Sequence, residues 1–323
     1  MIFEAHNRSM SDHMMDRRSF SLCAVSAATL PVLGSRRAAA AGPDLPQALV
    51  FIAEKDAKTL PMAEWDVVQL DAAEQAGSRV LIAEGQESVE KAPANASRYL
   101  ARSYKFPSGA VRVLSWAKGQ GPVIHQITFE TEIYVLEGAV DVEIRGNTTR
   151  LNAGDAASMP SGVLRNMKPK GNTVVLQFFV ANTLKDAEGM VVRGKDLDRS
   201  MVVQWQVDGK AMSVSTHEEA KKAPQNAARY FVKRYAFPGN SIRLATLKKG
   251  GVTNIGTTSR ADVLIYVSKG RMRRTEGDYT FEVVAGDAVR EELGKSGFWE
   301  LLEDSEFIAT DAPFNPNRAW ANP

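Results

Sequence analysis

The chain contains two copies of one sequence pattern. The segment KAPANASRYLARSYKFP, which begins at Lys91, returns as KAPQNAARYFVKRYAFP beginning at Lys222, 131 residues later. The similarity continues through YVLEG and YVSKG, which end at Gly138 and Gly270. Self-similarity at a fixed distance indicates that one folding unit occurs twice. A length of 323 residues also exceeds the usual size of a single domain.

Each copy consists of short segments typical of β-strands. AVRVLSW, TEIYVLEG and NTVVLQFF in the first copy, and SIRLATL and ADVLIYV in the second, are rich in β-branched and aromatic residues and are separated by Gly, Asn, Asp or Pro. Many short strands at regular spacing predict a double-sheet barrel or jelly roll. We therefore predict an all-β fold of two tandem barrels, with domains at 42–185 and 186–323.

The first 41 residues differ from the rest and predict an export signal. The segment DRRSFSL, which starts at Asp16, precedes a mildly apolar stretch to Gly34 and small residues up to Ala41. This pattern resembles a twin-arginine signal, which implies cleavage after Ala41 and a periplasmic location. The apolar stretch is shorter than the roughly 20 residues that span a bilayer. We expect no stable membrane insertion after cleavage, and an uncleaved anchor is the alternative.

The cysteine and charge patterns exclude several classes of protein. The only cysteine, Cys23, falls inside the predicted signal, so the mature protein is expected to lack disulfides, thiolate nucleophiles and cysteine-based metal sites. The 40 basic and 38 acidic residues are mixed along the chain. A basic stripe interleaved with aromatic residues would be typical of nucleic-acid binding. We expect a small molecule, and no nucleic acid, as the partner.

Two motifs in the first copy resemble those of the cupin superfamily. HQITFETEIYVLEG, from His125, and GDAASMPSG, from Gly154, follow the patterns G-x5-H-x-H-x3,4-E-x6-G and G-x5-P-x-G-x2-H-x3-N, with Pro160 and Gly162 at the expected spacing. The resemblance implies a cupin jelly-roll barrel in the first copy and, through the repeat, another in the second. It also implies a homodimer, because cupins commonly pair through their outer strands.

The resemblance further implies where a metal would be held. Cupin metals are usually bound by three histidines and one carboxylate. In the first copy the corresponding residues are His125, Ile127, Thr131 and Arg165. In the second copy they are Thr257, Ser259, Val263 and Gly297. We therefore predict no metal and no other cofactor. The alternative, a site using Glu130 or Glu132 beside His125, requires a β-bulge, because successive strand residues face opposite sides.

The candidate catalytic residue is His125, whose neutral imidazole can accept or donate a proton near pH 7. A hydrogen-bonded core histidine without chemistry is the alternative. Arg165 stands where the last cupin histidine stands, and a guanidinium there can bind a carboxylate or phosphate. The remaining predicted ligand-binding residues are Arg112, Tyr134, Arg243, Arg290 and Trp299.

Each of these five residues has a second interpretation. Arg112 and Arg243 recur at equivalent strand positions, as inward cations or as solvated outward ones. Tyr134 has the opposite strand parity to His125, which favours packing. A charged cluster that includes Arg290, beside Trp299, suits a polyol or an organic acid, or forms a solvated face.

These residues predict an exported, metal-independent bicupin that binds a small polar or anionic molecule, such as a sugar or an organic acid, in a barrel pocket. Whether the protein is an enzyme stays open. The alternative is a metal-free isomerase, epimerase or lyase that uses His125 as acid or base. A metal-dependent bicupin of the oxalate decarboxylase or dioxygenase type shares the architecture but needs ligands that this sequence lacks.

Overall fold

The computed structural model describes most of the chain after residue 50. The described ranges are 51–67, 79–118, 120, 123–126, 131–144, 146–159, 164–180, 190–207, 210–225, 227–238, 240–249, 252–253, 261–276, 279–293 and 297–312. The predicted export signal at 1–41 lies outside them. Within these ranges no helix has the length and apolar character needed to cross a membrane.

In the ranges that the structure describes, strands dominate both copies, and each copy contains one short α-helix. The strands from the first copy are β1 (Phe51–Ile52), β2 (Lys58–Val67), β3 (Arg79–Glu84), β4 (Ser97–Phe106), β5 (Gly109–Trp116), β6 (Val123–Gln126), β7 (Thr131–Glu137), β8 (Ala139–Ile144), β9 (Asn147–Asn152), β10 (Ala156–Met159), β11 (Leu164–Pro169) and β12 (Thr173–Val180). Those from the second copy are β13 (Met190–Val192), β14 (Ser200–Val207), β15 (Lys210–Val214), β16 (Ala228–Phe237), β17 (Asn240–Leu247), β18 (Val252–Thr253), β19 (Asp262–Lys269), β20 (Arg271–Glu276), β21 (Tyr279–Val284), β22 (Ala288–Glu291), β23 (Phe298–Leu301) and β24 (Ser305–Ala312). The helices are α1 (Gln86–Glu90) and α2 (His217–Lys222).

Each copy forms one large and one small antiparallel sheet. In the first copy the strand orders are β13-β10-β7-β12-β5-β4-β2-β3 and β6-β11-β8-β9. In the second copy they are β1-β22-β19-β24-β17-β16-β14-β15 and β18-β23-β20-β21. Two facing sheets enclose a core of inward-pointing side chains. The two halves therefore form two barrels of matching topology, as the sequence repeat predicts.

The two copies exchange their first strands. Strand β1, at the start of the first copy, pairs with β22 of the second, and β13, at the start of the second copy, pairs with β10 of the first. A short helical turn follows each exchanged strand, at Glu54–Asp56 and at Gly194–Asp196. The backbone N–H of Glu54 donates to Asp287, and that of Gly194 donates to Asp155. These bonds attach each exchanged segment to the other barrel.

Strand alternation separates the interior of each barrel from the contact between the barrels. On β5, Val111 and Val113 belong to a core shared with the second copy, whereas Leu114 and Trp116 belong to the core of the first barrel. Successive strand residues face opposite sides, so the parity of a residue determines which of the two cores it enters. The second barrel has its own interior core, which includes Ala245 and Leu247 of β17.

Candidate functional site

Arg112 lies on the interior face of the first barrel, on the same side of β5 as Leu114. Its Nε atom donates to Ser103 Oγ at 3.3 Å, and its guanidinium carbon lies 5.1 Å from the centre of the Phe179 ring. Within the described ranges, no carboxylate forms an ion pair with it. Arg112 is thus an inward cation, which is one of the two interpretations that the sequence left open, and neutral groups hold it.

Gln177 stands directly opposite Arg112 on the neighbouring strand β12. Its side chain is 1 % exposed, and its Nε2 atom has no hydrogen-bond partner among the described residues. A buried amide N–H without an acceptor is unfavourable by about 1–3 kcal/mol. Arg112 and Gln177 therefore present two adjacent hydrogen-bond donors to the interior of the first barrel.

A phenol and a carboxylate form a second polar group in the same barrel. The Tyr99 hydroxyl donates to Glu64 Oε1, and both residues are buried, on β4 and β2. Burial and the neighbouring Glu64 charge raise the pKa of Tyr99 well above its usual value. Tyr99 therefore stays protonated and donates this bond throughout the neutral pH range.

His125 and Arg165 come together in the backbone of the first barrel. Strand β6 carries His125, strand β11 carries Arg165, and the two residues stand directly opposite one another in the antiparallel pairing. Their side chains lie outside the described part of the structure, so their predicted catalytic and ligand-binding roles stay predictions.

Arg243 occupies the position in the second barrel that Arg112 occupies in the first, and it is neutralised. Its guanidinium forms an ion pair with Asp311 at 2.6 Å. Asp311 lies 132 residues after Phe179, so the repeat places a carboxylate in the second copy where the first copy has an aromatic ring. Arg243, predicted to bind ligand, is an inward cation already paired within the protein.

The interior of the second barrel contains a buried charged cluster of Arg274, Glu291 and Trp299. Arg274 is 0 % exposed and forms an ion pair with Glu291 Oε1, which also accepts the Trp299 indole N–H at 2.9 Å. The Arg274 guanidinium stacks 5.0 Å from the centre of the Trp299 ring. Because these groups satisfy one another, the predicted role of Trp299 as a ligand-binding residue does not fit its surroundings.

Gly297 explains how the arginine fits inside the second barrel. This glycine stands at the position of the last cupin metal ligand, and a Cβ atom there would lie 2.9 Å from Arg274 Cζ. The guanidinium therefore occupies the space that a side chain at position 297 would fill. A fixed cation at this point, with Val263 at another ligand position, does not fit a transition-metal site.

Arg290 lies in the contact between the two copies and is paired there. It forms an ion pair with Asp262 at 2.7 Å and donates to Ser108 of the first copy at 3.2 Å. Arg290 and Glu291 are both buried, so the alternative of a solvated charged face is wrong for them. Their adjacent positions on β22 direct them to opposite sides, which divides the charged cluster that the sequence suggests.

Tyr134 and Glu132 share a parity on β7 that directs them away from the first barrel's interior. The ring centre of Tyr134 lies 5.6 Å from that of Tyr235 in an edge-to-face contact, within the core between the copies. Glu132 accepts a hydrogen bond from Thr310 of the second copy at 2.7 Å. Tyr134 thus has a packing role here, and Glu132 is not available to a metal beside His125. Glu130 lies outside the described residues.

Within the described ranges, no three His, Cys, Asp or Glu side chains form a cluster suited to a metal. At the cupin ligand positions of the first barrel, the structure describes Thr131 and the backbones of His125 and Arg165. A threonine hydroxyl is a poor ligand for the metals that cupins bind. The donor types present therefore do not fit a site of three histidines and one carboxylate.

Comparisons with known proteins identify the fold. The family model described as "Cupin domain" matches residues 114–181. Among solved structures, AerE from Microcystis aeruginosa superposes with a TM-score of 0.51 at 10% identity, over 66% of this chain and 91% of AerE. A deletion mutant of Bacillus subtilis oxalate decarboxylase OxdC gives a TM-score of 0.46 at 14% identity, over 67% and 73% of the two chains. No curated protein matches the chain.

The family match therefore identifies residues 114–181 as a cupin domain. The predicted all-β fold of tandem cupin barrels is confirmed by the family match and by the two barrels of the structure. At 10% identity, the likeness to AerE concerns the fold alone.

Sequence reasoning missed Gln177, Tyr99, Glu64, Arg274 and Asp311. Strand parity could have found some of them. Gln177 lies two residues after the core residue Val175, and Arg274 lies two residues after the core residue Met272, so each shares the face of an inward apolar residue. The pairing of Arg274 with Glu291 had no such signal, because it joins separate strands.

Proposed function

We propose that this protein is an exported, metal-independent bicupin that binds a small organic anion, such as a sugar acid, in its first barrel. The second barrel then has a structural role, because its own side chains fill and neutralise its interior. The observation that carries this proposal is the contrast between two equivalent arginines. Arg243 is paired with Asp311, whereas Arg112 has a ring and a hydroxyl beside it.

An organic anion suits the groups around Arg112. A guanidinium binds carboxylates through charge-assisted hydrogen bonds, and the opposite Gln177 offers another donor to the same oxygen atoms. Burial strengthens such bonds because the local dielectric is low. The predicted residues Arg165 and His125, opposite one another on neighbouring strands, would add a second cation and an imidazole. Export through the twin-arginine route belongs to the same proposal and rests on the first 41 residues.

Calorimetric titration with gluconate and malonate tests the proposal. We expect one of these anions to bind the purified protein, and Arg112→Met to weaken binding at least tenfold while leaving the fold intact. Arg243→Met is the matched control and is expected to leave the affinity unchanged. Equal losses in both variants, or no loss in Arg112→Met, would contradict a site in the first barrel. Elemental analysis of protein matured through export tests metal independence, and about one transition metal per chain would overturn it.

A second candidate function is a metal-free isomerase, epimerase or lyase. The observation that favours it is the buried Tyr99 and Glu64 pair, which puts a proton donor and a carboxylate in the same barrel as His125. Exchange of the C2 proton of gluconate for deuterium, followed by NMR, tests this function. His125→Ala is expected to stop exchange and preserve binding if the protein is such an enzyme. Binding without exchange would favour a binding protein.

A further inference from the structure

A separate pocket of about 480 Å³ opens near the end of the first barrel farthest along β5 from Arg112. Trp116 lines it and lies four residues after Arg112 on the same face of this strand. Four strand residues span roughly 13 Å. The volume falls within the usual range for small-molecule pockets. Residues that line the apolar part of the wall include Met62, Val89 and Leu100.

Three side chains at this pocket carry hydrogen-bond donors with no acceptor in the described part of the chain. The Trp116 indole N–H is buried and has no partner, and Trp116 is 2 % exposed. The carbonyl oxygen of Gln120 accepts the Arg98 backbone N–H, and that of Asn172 accepts the Lys118 backbone N–H. These bonds fix both amides so that their NH₂ groups face away from the backbone donors.

The pocket therefore offers donors beside apolar walls. The Arg98 guanidinium adds positive charge nearby, although its N–H groups already donate to backbone carbonyls such as those of Ala92 and Ala96. A ligand that complements this arrangement has acceptor oxygen atoms at one end and a hydrocarbon or aromatic body at the other.

The second copy shows that the fold does not require these donors. Asp304 replaces Asn172 and accepts the backbone N–H of Lys249, so the structural bond persists without an NH₂ group. Leu247 and Gly251 stand in the second copy where Trp116 and Gln120 stand in the first. The fold therefore does not need the N–H donors that Trp116, Gln120 and Asn172 supply in the first copy.

We propose that this pocket is a second ligand site, distinct from the barrel interior at Arg112, and that it binds a small carboxylate with an apolar body. The carboxylate accepts hydrogen bonds from Trp116, Gln120 and Asn172, and the body packs on Met62, Val89 and Leu100. The site stands on its own donors and does not depend on anion binding at Arg112.

Benzoate is the probe for this site, and the Trp116 indole resonance in a ¹H–¹⁵N spectrum is the readout. The protein contains five tryptophans, and the Trp116 signal is identified by its loss in Trp116→Phe. We expect benzoate to shift this signal downfield with a Kd of about 1 mM or below. Benzyl alcohol, which has the same ring without the carboxylate, is expected to bind at least tenfold more weakly.

Three variants distinguish this site from the one at Arg112. Asn172→Asp introduces the residue that the second copy uses and is expected to weaken benzoate binding at least tenfold through charge repulsion. Asp304→Asn, the matched control, and Arg112→Met are expected to leave it unchanged. The proposal is overturned if benzoate does not shift the Trp116 signal, if Asn172→Asp binds normally, or if Arg112→Met abolishes the shift. The last result would place benzoate at the other end of the barrel.

Discussion

The first barrel has Val142, Met159 and Met167 at the positions where the second barrel has Arg274, Glu291 and Trp299. Both sets are buried, and both fill the space between a large and a small sheet. The first barrel is thus apolar at these positions, whereas the second has a buried ion pair there. The same backbone plan accepts either solution.

The two barrels also differ in how their buried polar groups are paired. In the second barrel, Arg243 pairs with Asp311 and Arg274 pairs with Glu291. The hydroxyl of Tyr230 has the amide of Gln204 as its neighbour, where Tyr99 in the first barrel has the carboxylate of Glu64. Under the proposed function, the first barrel keeps polar groups for a ligand, whereas the equivalent groups of the second barrel are paired with one another.

The largest expected effect is on stability, from removal of one partner of the buried pair in the second barrel. Glu291→Ala removes the carboxylate that pairs with the buried Arg274 guanidinium and accepts the Trp299 indole N–H, and we expect a loss of about 3–5 kcal/mol in the free energy of unfolding. Urea denaturation measures it. The double variant Arg274→Met with Glu291→Met replaces both charged groups with apolar side chains and is expected to restore most of this loss. A change below about 1 kcal/mol in Glu291→Ala would contradict the buried ion pair.

The second prediction concerns Gln177→Leu in the first barrel. Leucine removes a buried N–H that has no partner, so stability is expected to rise or stay within about 1 kcal/mol, while anion binding falls about tenfold. Thermal unfolding and calorimetric titration measure the two effects. Ala309→Gly at the equivalent position of the second barrel is the control for binding. Lower stability together with unchanged affinity would indicate a structural role for the Gln177 amide.

The smallest expected effect concerns the two exchanged strands. Burial acts to raise the pKa of Asp155, but hydrogen bonds from Asn152, Arg193 and Gly194 hold it below its usual value. Burial raises the pKa of the equivalent Asp287, and the nearby Glu54 adds to this effect. A lowered pKa stabilises the fold above about pH 4, and this contribution is lost as the pH falls through the folded value. A raised pKa has the opposite sign, with stability present below about pH 4 and lost as the pH rises.

Hydrogen exchange checks this difference. Between pH 7 and pH 3, protection factors at 190–192 are expected to fall and those at 51–52 to rise, each by a few-fold. Asp155→Asn should remove the first change only. Parallel changes in the two strands would contradict the assignment.

Much of the fold could be predicted from the sequence because the same pattern of strand-forming segments occurs twice. Strand parity also placed Tyr134 and Glu132 away from the first barrel's interior, as the structure confirms. The exchange of β1 and β13 could not be predicted, since both strands are short and pair with residues more than 30 positions away. The position of Arg274 was hidden in the charged run RMRRTE, where only alternation with Met272 marks it as inward.

The candidate site was harder to predict because the proposal rests on differences between the surroundings of equivalent residues in the two barrels. Arg112 and Arg243 look alike in the sequence, and only the strands opposite them show that one faces Phe179 and the other Asp311. The cupin motifs identify where a metal would sit, but they do not report which side chains from other strands fill that space.

The most direct test of the difference between the barrels is to exchange the residues beside the two arginines, Phe179 and Asp311. Phe179→Asp gives Arg112 a carboxylate, and Asp311→Phe removes the one beside Arg243. Calorimetric titration of both variants with the anion that the unmodified protein binds, with Phe179→Leu as the control for lost packing, measures the outcome. We predict that Phe179→Asp weakens binding at least tenfold, that Phe179→Leu retains it, and that Asp311→Phe leaves the first-barrel affinity unchanged. Undiminished binding in Phe179→Asp would contradict the first barrel as the anion site.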